Sequence, residues 1–234
     1  MPLTILASAG GLVAVDKPAG LLVIPGREGG GPCARELLAE QLGTRVWVCH
    51  RLDRDTSGVL VLATTAEAHR AASMAFEAGE VRKRYVALVE GRVEHPLDLD
   101  VALTGARRGR MRPVYPGEAG KPSRTRVRPR QVFAHASLVE CEPLTGRQHQ
   151  IRVHLKHAGH PLLFDHQYGR KAPVTATHLG GAGDEVVLAR TPLHAEALDA
   201  PALGLSVTAP LPDDLRRCIE LLSAGGRAPR SSGL

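Results

Sequence analysis

Residues 48–64 read VCHRLDRDTSGVLVLAT. Seven polar side chains, His50, Arg51, Asp53, Arg54, Asp55, Thr56 and Ser57, are set between the apolar runs Val46-Trp47-Val48 and Val59-Leu60-Val61-Leu62. A surface turn would tolerate an acid here, but a carboxylate between two arginines and two buried segments points to chemistry. Burial raises the pKa of such a group, whereas a neighbouring guanidinium lowers it by about 1–3 units and keeps it ionised. An ionised, oriented, poorly hydrated carboxylate is a nucleophile or a general base. Arg152 is the expected partner of Asp53, on a helix that the TGR turn at 145–147 aims at the same cleft. The plain alternative is a buried Asp–Arg pair with no chemistry.

Outward from this stretch, the apolar pattern predicts alternating strands and short helices. Residues 12–25, LVAVDKPAGLLVIP, read as two strands around a Lys-Pro-Ala-Gly turn, followed by an open loop at 26–32. A helix is expected over 33–42 with Leu37, Leu38 and Leu42 inward, then a strand at RVWVCH. VLVLA reads as a buried strand and leads to a helix with Thr64 as N-cap and Glu67 completing a capping box, ended by Gly79. Strands are expected at 83–91, 131–144, LHAEAL and LGLSVTAPLP. Residues 145–159 read as a loop into a helix that ends near Gly159, and a last helix opens with Asp213 and Asp214 and buries Leu215, Ile219 and Leu222.

The 234 residues are 43% hydrophobic and 23% charged, the composition of a globular chain with enough length for a sizeable core. Net charge is +6, carried mostly by arginine, which favours a polyanionic partner because the guanidinium fork matches phosphate. An arginine-, alanine- and glycine-rich composition is also what a GC-rich genome produces. Cys33, Cys49, Cys141 and Cys218 are far apart in sequence, which argues against a disulfide framework or a thiolate metal site and for a reducing compartment. The N-terminus lacks the form of a signal peptide and no apolar run has the length of a membrane span, so a cytoplasmic protein with no membrane partner is expected.

Three further groups bear on chemistry. Residues 104–130 are rich in arginine with a single lysine and a single acid, and read as exposed loops or a hairpin whose Arg107, Arg108 and Arg110 would meet a phosphate backbone. His149, His154, His157 and His160 cluster near Asp165 and His166, but Arg147, Arg152 and Lys156 are interleaved among them. Cations beside a dication are unfavourable, so hydrogen bonding is expected of these histidines and metal ligation is not. Tyr85, in Lys83-Arg84-Tyr85, is one of few aromatics in a chain that is 3% Phe, Trp and Tyr. Near a carboxylate it would supply the surface on which a flipped base stacks.

HRLDRDTSGVLVLA resembles the active-site motif of the RluA-type pseudouridine synthases. The resemblance continues through VDKPAGLLVIP, RKRYVALVEG, PLTGRQHQIRVHLKHAGHPLLFDHQYG and LHAEAL, in family order over roughly residues 5–222. It implies isomerisation of uridine in ribosomal or transfer RNA, with Asp53 attacking the nucleotide or removing a ribose proton. By the same resemblance Tyr85 stacks on the uracil and assists proton removal from C5, Arg152 pairs with Asp53, Ile151 lines the base pocket and Arg51 enters the space left by the flipped nucleotide. Lys83, Arg147 and His149 fall in shared motifs and imply substrate support. No cofactor or metal is implied, since product and substrate are isomers. A non-catalytic RNA-binding protein that kept the fold is the alternative, against which the intact Asp53, Tyr85 and Arg152 set stands.

The fold implied is α+β, a curved mixed sheet, mainly antiparallel, flanked by helices and split by a basic cleft with Asp53 at its floor. One catalytic domain over 1–224 is expected, with a disordered tail at 225–234, no separate N-terminal RNA-binding domain, and a monomeric state. Target selection would then fall to loops such as 104–130 and 26–32. Gln148, where relatives carry Thr or Ser, and Phe164, where many carry Gly, mark turns whose geometry departs from the pattern.

Overall fold

The computed structural model describes residues 2–26, 31–106 and 109–225. In chain order its elements are β1 (Thr4–Ala9), β2 (Leu12–Lys17), α1 (Ala34–Leu42), β3 (Trp47–Val48), β4 (Ser57–Ala63), α2 (Ala66–Glu77), β5 (Arg82–Glu90), β6 (Leu97–Asp100), β7 (Leu103–Gly105), β8 (Met111–Pro113), β9 (Arg124–Val132), β10 (Ala136–Pro143), α3 (Gln150–His157), β11 (Val174–Thr175), β12 (Val186–Leu188), β13 (Leu193–Ala200), β14 (Leu205–Thr208) and α4 (Asp213–Gly225). The class is α+β. The chain forms two compact units, residues 1–85 with 193–211, and residues 86–192 with 212–234, so that β5 runs from one into the other.

In the first unit the strand order is β1-β2-β4-β13, with β3 also on β4 and β14 on β13. All pairs are antiparallel except β4 with β13, which makes the sheet mixed. Strand β4 is buried along its whole length. Its unbroken apolar run follows from having both faces covered. Val59, Val61 and Ala63 pack with Ala68, Ala72 and Ala75 of α2, while Leu60 and Leu62 pack with Ala34 and Leu38 of α1. Leu52 and Tyr85 join the α1 side, so the polar stretch 50–57 is anchored on that face.

In the second unit β5, β10, β9 and β6 are neighbours in that order, β7 and β8 form a hairpin, and β11 pairs with β12. Helix α3 packs against β8, β9 and β10, and α4 against β12. Strand β9 alternates strictly: Thr125 and Val127 are buried, while Arg124, Arg126 and Arg128 face out.

Several local expectations are corrected. LLVIP is not a strand: the carbonyls of Leu22 and Val23 accept from the amides of Ala34 and Arg35, and Leu21 O accepts from Lys17 Nζ, so its backbone is engaged by α1 and a side chain. RVWVCH is extended in a sheet only at Trp47–Val48. The N-cap of α2 is Thr65, whose side chain accepts from Ala68 N, while Thr64 Oγ1 donates to Gly11 O. Residues 124–130, read as part of exposed loops or a hairpin, belong to strand β9, and 131–144 is broken at 133–135 into the end of β9 and the start of β10. Leu42 is exposed, and in α4 Cys218 is buried where Ile219 was expected. Of the described residues, no helix is long and apolar enough to cross a membrane, and the four cysteines are free. Residues 27–30 of the 26–32 loop, Arg107, Arg108 and the tail beyond 225 lie outside the described residues.

Candidate active site

Asp53 lies in the short irregular segment between β3 and β4 and is half-buried. The loop is held from below by Lys17, the last residue of β2, which has no exposed surface. Its ammonium donates to Pro18 O (2.8 Å), Leu21 O (2.8 Å) and Arg54 O (2.9 Å). A buried cation must find such acceptors or lose its charge. Here the acceptors come from two separate loops, so the solvation of one charge welds the Pro18–Leu21 turn to the residue after Asp53. Gly20 N also donates to Arg54 O, Arg54 Nε returns a bond to Gly20 O, and Thr56 N donates to Asp53 O.

His50 fixes the other end of the loop. Strand β3 pairs with β4 only at Leu62 and Ala63, and β13 only at Ser57 and Gly58, which leaves the amide of Val61 between them. His50 Nε2 accepts from that amide at 3.0 Å, and its ring packs on Phe76 at 4.7 Å between centroids. Burial, and secondarily Lys83, push the imidazole down to about 3, so it is neutral and a competent acceptor. Lys83 is itself lowered by burial, with its ammonium 5.9 Å from the Phe76 ring centre.

Tyr85 is half-buried in the apolar cluster that includes Leu52 and Ala195. Burial, and then the negative charge of Asp53, raise its ionisation well above the ordinary phenol value. The ring is therefore neutral at any physiological pH and lies within the field of the acid. Arg51 is exposed. Ser57 Oγ and His194 Nδ1 meet at 2.9 Å, but both residues are buried. With Asp16 close enough to bear on His194, the set has the composition of a hydrolase triad yet no access for a substrate; it cross-links β4 to β13.

In the second unit Arg152 is 5% exposed and forms a two-pronged ion pair with Asp165, which is 1% exposed, at 2.7 and 2.8 Å. Burial alone would raise Asp165, but the Arg152 hydrogen bonds and charge, with the amides of Gln167 and Tyr168, hold it below the usual carboxylate range. The guanidinium also lies over the Tyr168 ring at 5.0 Å. Met111 N donates to Tyr168 Oη at 2.8 Å, and the hydroxyl donates on to His149 Nδ1 at 2.7 Å. His149 occupies the left-handed region at φ 54°, unusual for a side-chain-bearing residue, and is the N-cap of α3. Ile151 is buried beside it in sequence, and Arg147 Nε donates to Pro122 O at 3.2 Å. Arg110 donates to Gln167 O.

The histidines of this region take up hydrogen bonds. His154 Nε2 donates to Val101 O at 2.9 Å, which leaves Nδ1 to accept from Thr125 Oγ1 at 2.9 Å, and His160 Nδ1 meets Glu90 O at 3.0 Å. Among the described residues no group of three or more His, Cys, Asp or Glu is arranged to hold a metal ion.

The structure thus brings Asp53 and Tyr85 together in the first unit, and Arg147, His149, Ile151 and Arg152 along one helix start in the second. Sequence reasoning passed over Lys17 and Tyr168, and named His50 and Asp165 without the partners they have here. A lysine closing the apolar run LVAVDK was the signal for the first; the others sit inside the motifs but are recognisable only by what they touch.

Residues 11–157 match the RNA pseudouridylate synthase family. The ribosomal large subunit pseudouridine synthase D of Nitrosomonas europaea is 40% identical over 244 aligned residues, spanning 99% of this chain and 68% of that protein. Its C counterpart from Salmonella typhi is 40% identical over 184, covering 74% of this chain, and the chain spans 55% of its length. Among solved structures, human RNA pseudouridylate synthase domain containing 4 superposes with a TM-score of 0.78 at 28% identity, over 94% of this chain and 93% of that one.

Proposed function

The chain belongs to the RNA pseudouridylate synthase family, and from that premise we propose that it isomerises uridine in ribosomal RNA to pseudouridine with Asp53 as the catalytic carboxylate. The names of its relatives, ribosomal large subunit pseudouridine synthases, support the RNA class; transfer RNA is the alternative substrate. The observation that carries the residue assignment is the clamped loop. Lys17, Gly20 and Arg54 fix the backbone beside Asp53, and the acid bears directly on the ring of Tyr85. This reading seats the nucleotide on that ring, within the field of a carboxylate whose backbone is already held, which is the preorganisation that catalysis by position requires.

In this reading the uridine leaves its stack at a cost of a few kcal/mol. Stacking on Tyr85 offsets about 1–3 kcal/mol of it. Asp53 attacks the nucleotide or takes a ribose proton, the N1–C1′ bond breaks, the freed uracil turns on the tyrosine ring, C5 bonds to C1′ as the carboxylate is released or returns its proton, and the proton lost from C5 is balanced by one gained at N1. Nothing is consumed, so no cofactor or metal is called for. The raised ionisation of Tyr85 favours its use as a neutral stacking ring over its use as a base in the free protein. For Arg152 and Ile151 this reading keeps the roles that the family resemblance implies. Arg51 fills the vacated stack, Lys83, Arg147 and His149 support the substrate, and Arg107, Arg108 and Arg110 meet phosphates.

The test is Asp53→Asn. Pseudouridine in an incubated ribosomal RNA should fall to background while RNA affinity stays within a few-fold, because phosphate contacts lie elsewhere. Turnover near the wild-type rate would reject the assignment.

A further inference from the structure

Tyr115 is 65% exposed, more than any other large hydrophobic residue among the described residues. The chain has only three tyrosines, and the other two are taken up by the surroundings of Asp53 and Arg152. An isolated exposed aromatic would be unremarkable. This one is built in. The guanidinium of Arg112 lies 4.7 Å from its ring centre, and that guanidinium is gripped by both carboxylate oxygens of Glu118, at 2.5 and 2.8 Å, and by Pro113 O at 3.0 Å. Glu118 Oε2 also accepts from Tyr115 N at 2.9 Å, and Glu118 N donates to Tyr115 O, so one acid closes the turn and locks the cation behind the ring.

The turn is fastened to its base. Strands β7 and β8 pair, Val114 N donates to Ala102 O, and Leu103 and Lys121 exchange two backbone hydrogen bonds. Any side chain at Gly120 would collide with Val114 and the Leu103 carbonyl, so the loop folds closely on itself. Arg110 and Lys121 are exposed on the same excursion.

We propose that Tyr115, backed by Arg112 and Glu118, is a stacking platform for an unpaired RNA base, a contact additional to the uridine to be modified. The proposal rests on the RNA reading above. Because Glu118 neutralises Arg112, the platform offers a flat π-face stiffened by a cation rather than a phosphate site, and bases of any identity present a face that fits it. Its rigidity matters: the ring is ordered before binding, so little side-chain freedom remains to be lost. A protein partner is the competing occupant, but a single aromatic beside exposed Arg110 and Lys121 lacks the apolar surround that a protein interface would bring.

The test uses the full chain, Tyr115→Ala and Tyr115→Phe, with fluorescence of 2-aminopurine placed in turn at the unpaired positions of a substrate RNA hairpin. The expected result is quenching at one position in wild type, lost in Tyr115→Ala and kept in Tyr115→Phe. Affinity should fall about tenfold in the alanine variant, with turnover at saturating RNA unchanged. Equal RNA affinity of wild type and Tyr115→Ala would overturn the platform. So would a defect confined to assembled ribosomal particles with naked RNA bound normally, which would assign the surface to a protein. Wild-type protein that forms pseudouridine yet never quenches removes the platform alone; one that neither binds RNA nor forms pseudouridine removes the underlying function as well.

Discussion

Arg152 and Asp165 are a buried pair whose separate members could not stay where they are. Two charges at 5% and 1% exposure persist because two parallel hydrogen bonds, and two backbone amides on the acid, replace the water they have lost. Asp165→Asn keeps the shape and removes the charge, leaving the guanidinium facing an amide. A loss of about 3 kcal/mol or more in unfolding free energy is expected, readable from the shifted midpoint of a urea titration. The sequence singled out Arg152 as a candidate but not its anchor, because a partner thirteen positions away across an irregular turn has no periodic signature. The same holds for Lys17, whose three acceptors are backbone carbonyls and therefore carry no residue identity at all.

At the scale of elements, Gly58 explains part of the motif. It sits at the start of β4 with φ 106°, where side-chain-bearing residues are strained, and a Cβ there would run into the backbone of Ala195 on the parallel strand β13. Gly58→Ala should cost about 3 kcal/mol or more by strain and loss of that pairing, measured as a drop in melting temperature with parallel loss of soluble protein. The buried strand and the α2 helix were legible from a continuous apolar run and from alanines at helical spacing. The N-cap was misplaced by one residue because Thr64 and Thr65 are chemically equivalent candidates, and only the route of the chain past Gly11 decides that Thr64 donates there while Thr65 caps. LLVIP has strand composition, but its carbonyls are claimed by α1 and Lys17.

Over the whole molecule, charge is arranged differently from its count. The Arg-rich run after residue 123 is a strand whose outward arginines face acids: Arg124 meets Asp98 at 2.5 and 2.8 Å, Arg130 meets Glu140 at 2.8 Å, and Arg126 stands 3.9 Å from Glu142. That face is close to neutral, so the positive balance is carried by other residues. Stability toward acid follows from buried histidines in both units. His50 is pushed down to about 3 from 6.5 by burial and Lys83, and His154 is lowered chiefly by burial. Below pH 6.5 the unfolded chain takes up protons that the folded one refuses, so folding stability falls as pH drops from 6.5 toward 3. Asp165, held below its ordinary value, adds a further loss below about pH 4 as it is forced to protonate. Urea midpoints at pH 7, 6, 5 and 4 should decline steadily, and His50→Asn, whose amide oxygen can still accept from Val61, should flatten the decline; an unchanged slope in that variant would show that His50 titrates normally.

Patterns that act through the nearest few residues were determined by the sequence alone: the buried β4 run, the alanine face of α2, the start of α3, and the motif blocks that identify Asp53, Tyr85 and Arg152 as the residues to watch. Tertiary structure decided what holds them, namely Lys17 beneath the Asp53 loop, His50 completing the ladder of β4, Asp165 and Tyr168 around Arg152, and the acids that face the arginines of β9. The division is physical. Periodicity and motif spacing report how a residue relates to its own segment, whereas the solvation of a buried charge or an orphaned amide depends on whichever oxygen or nitrogen the fold brings within 3 Å, and that partner can come from any part of the chain.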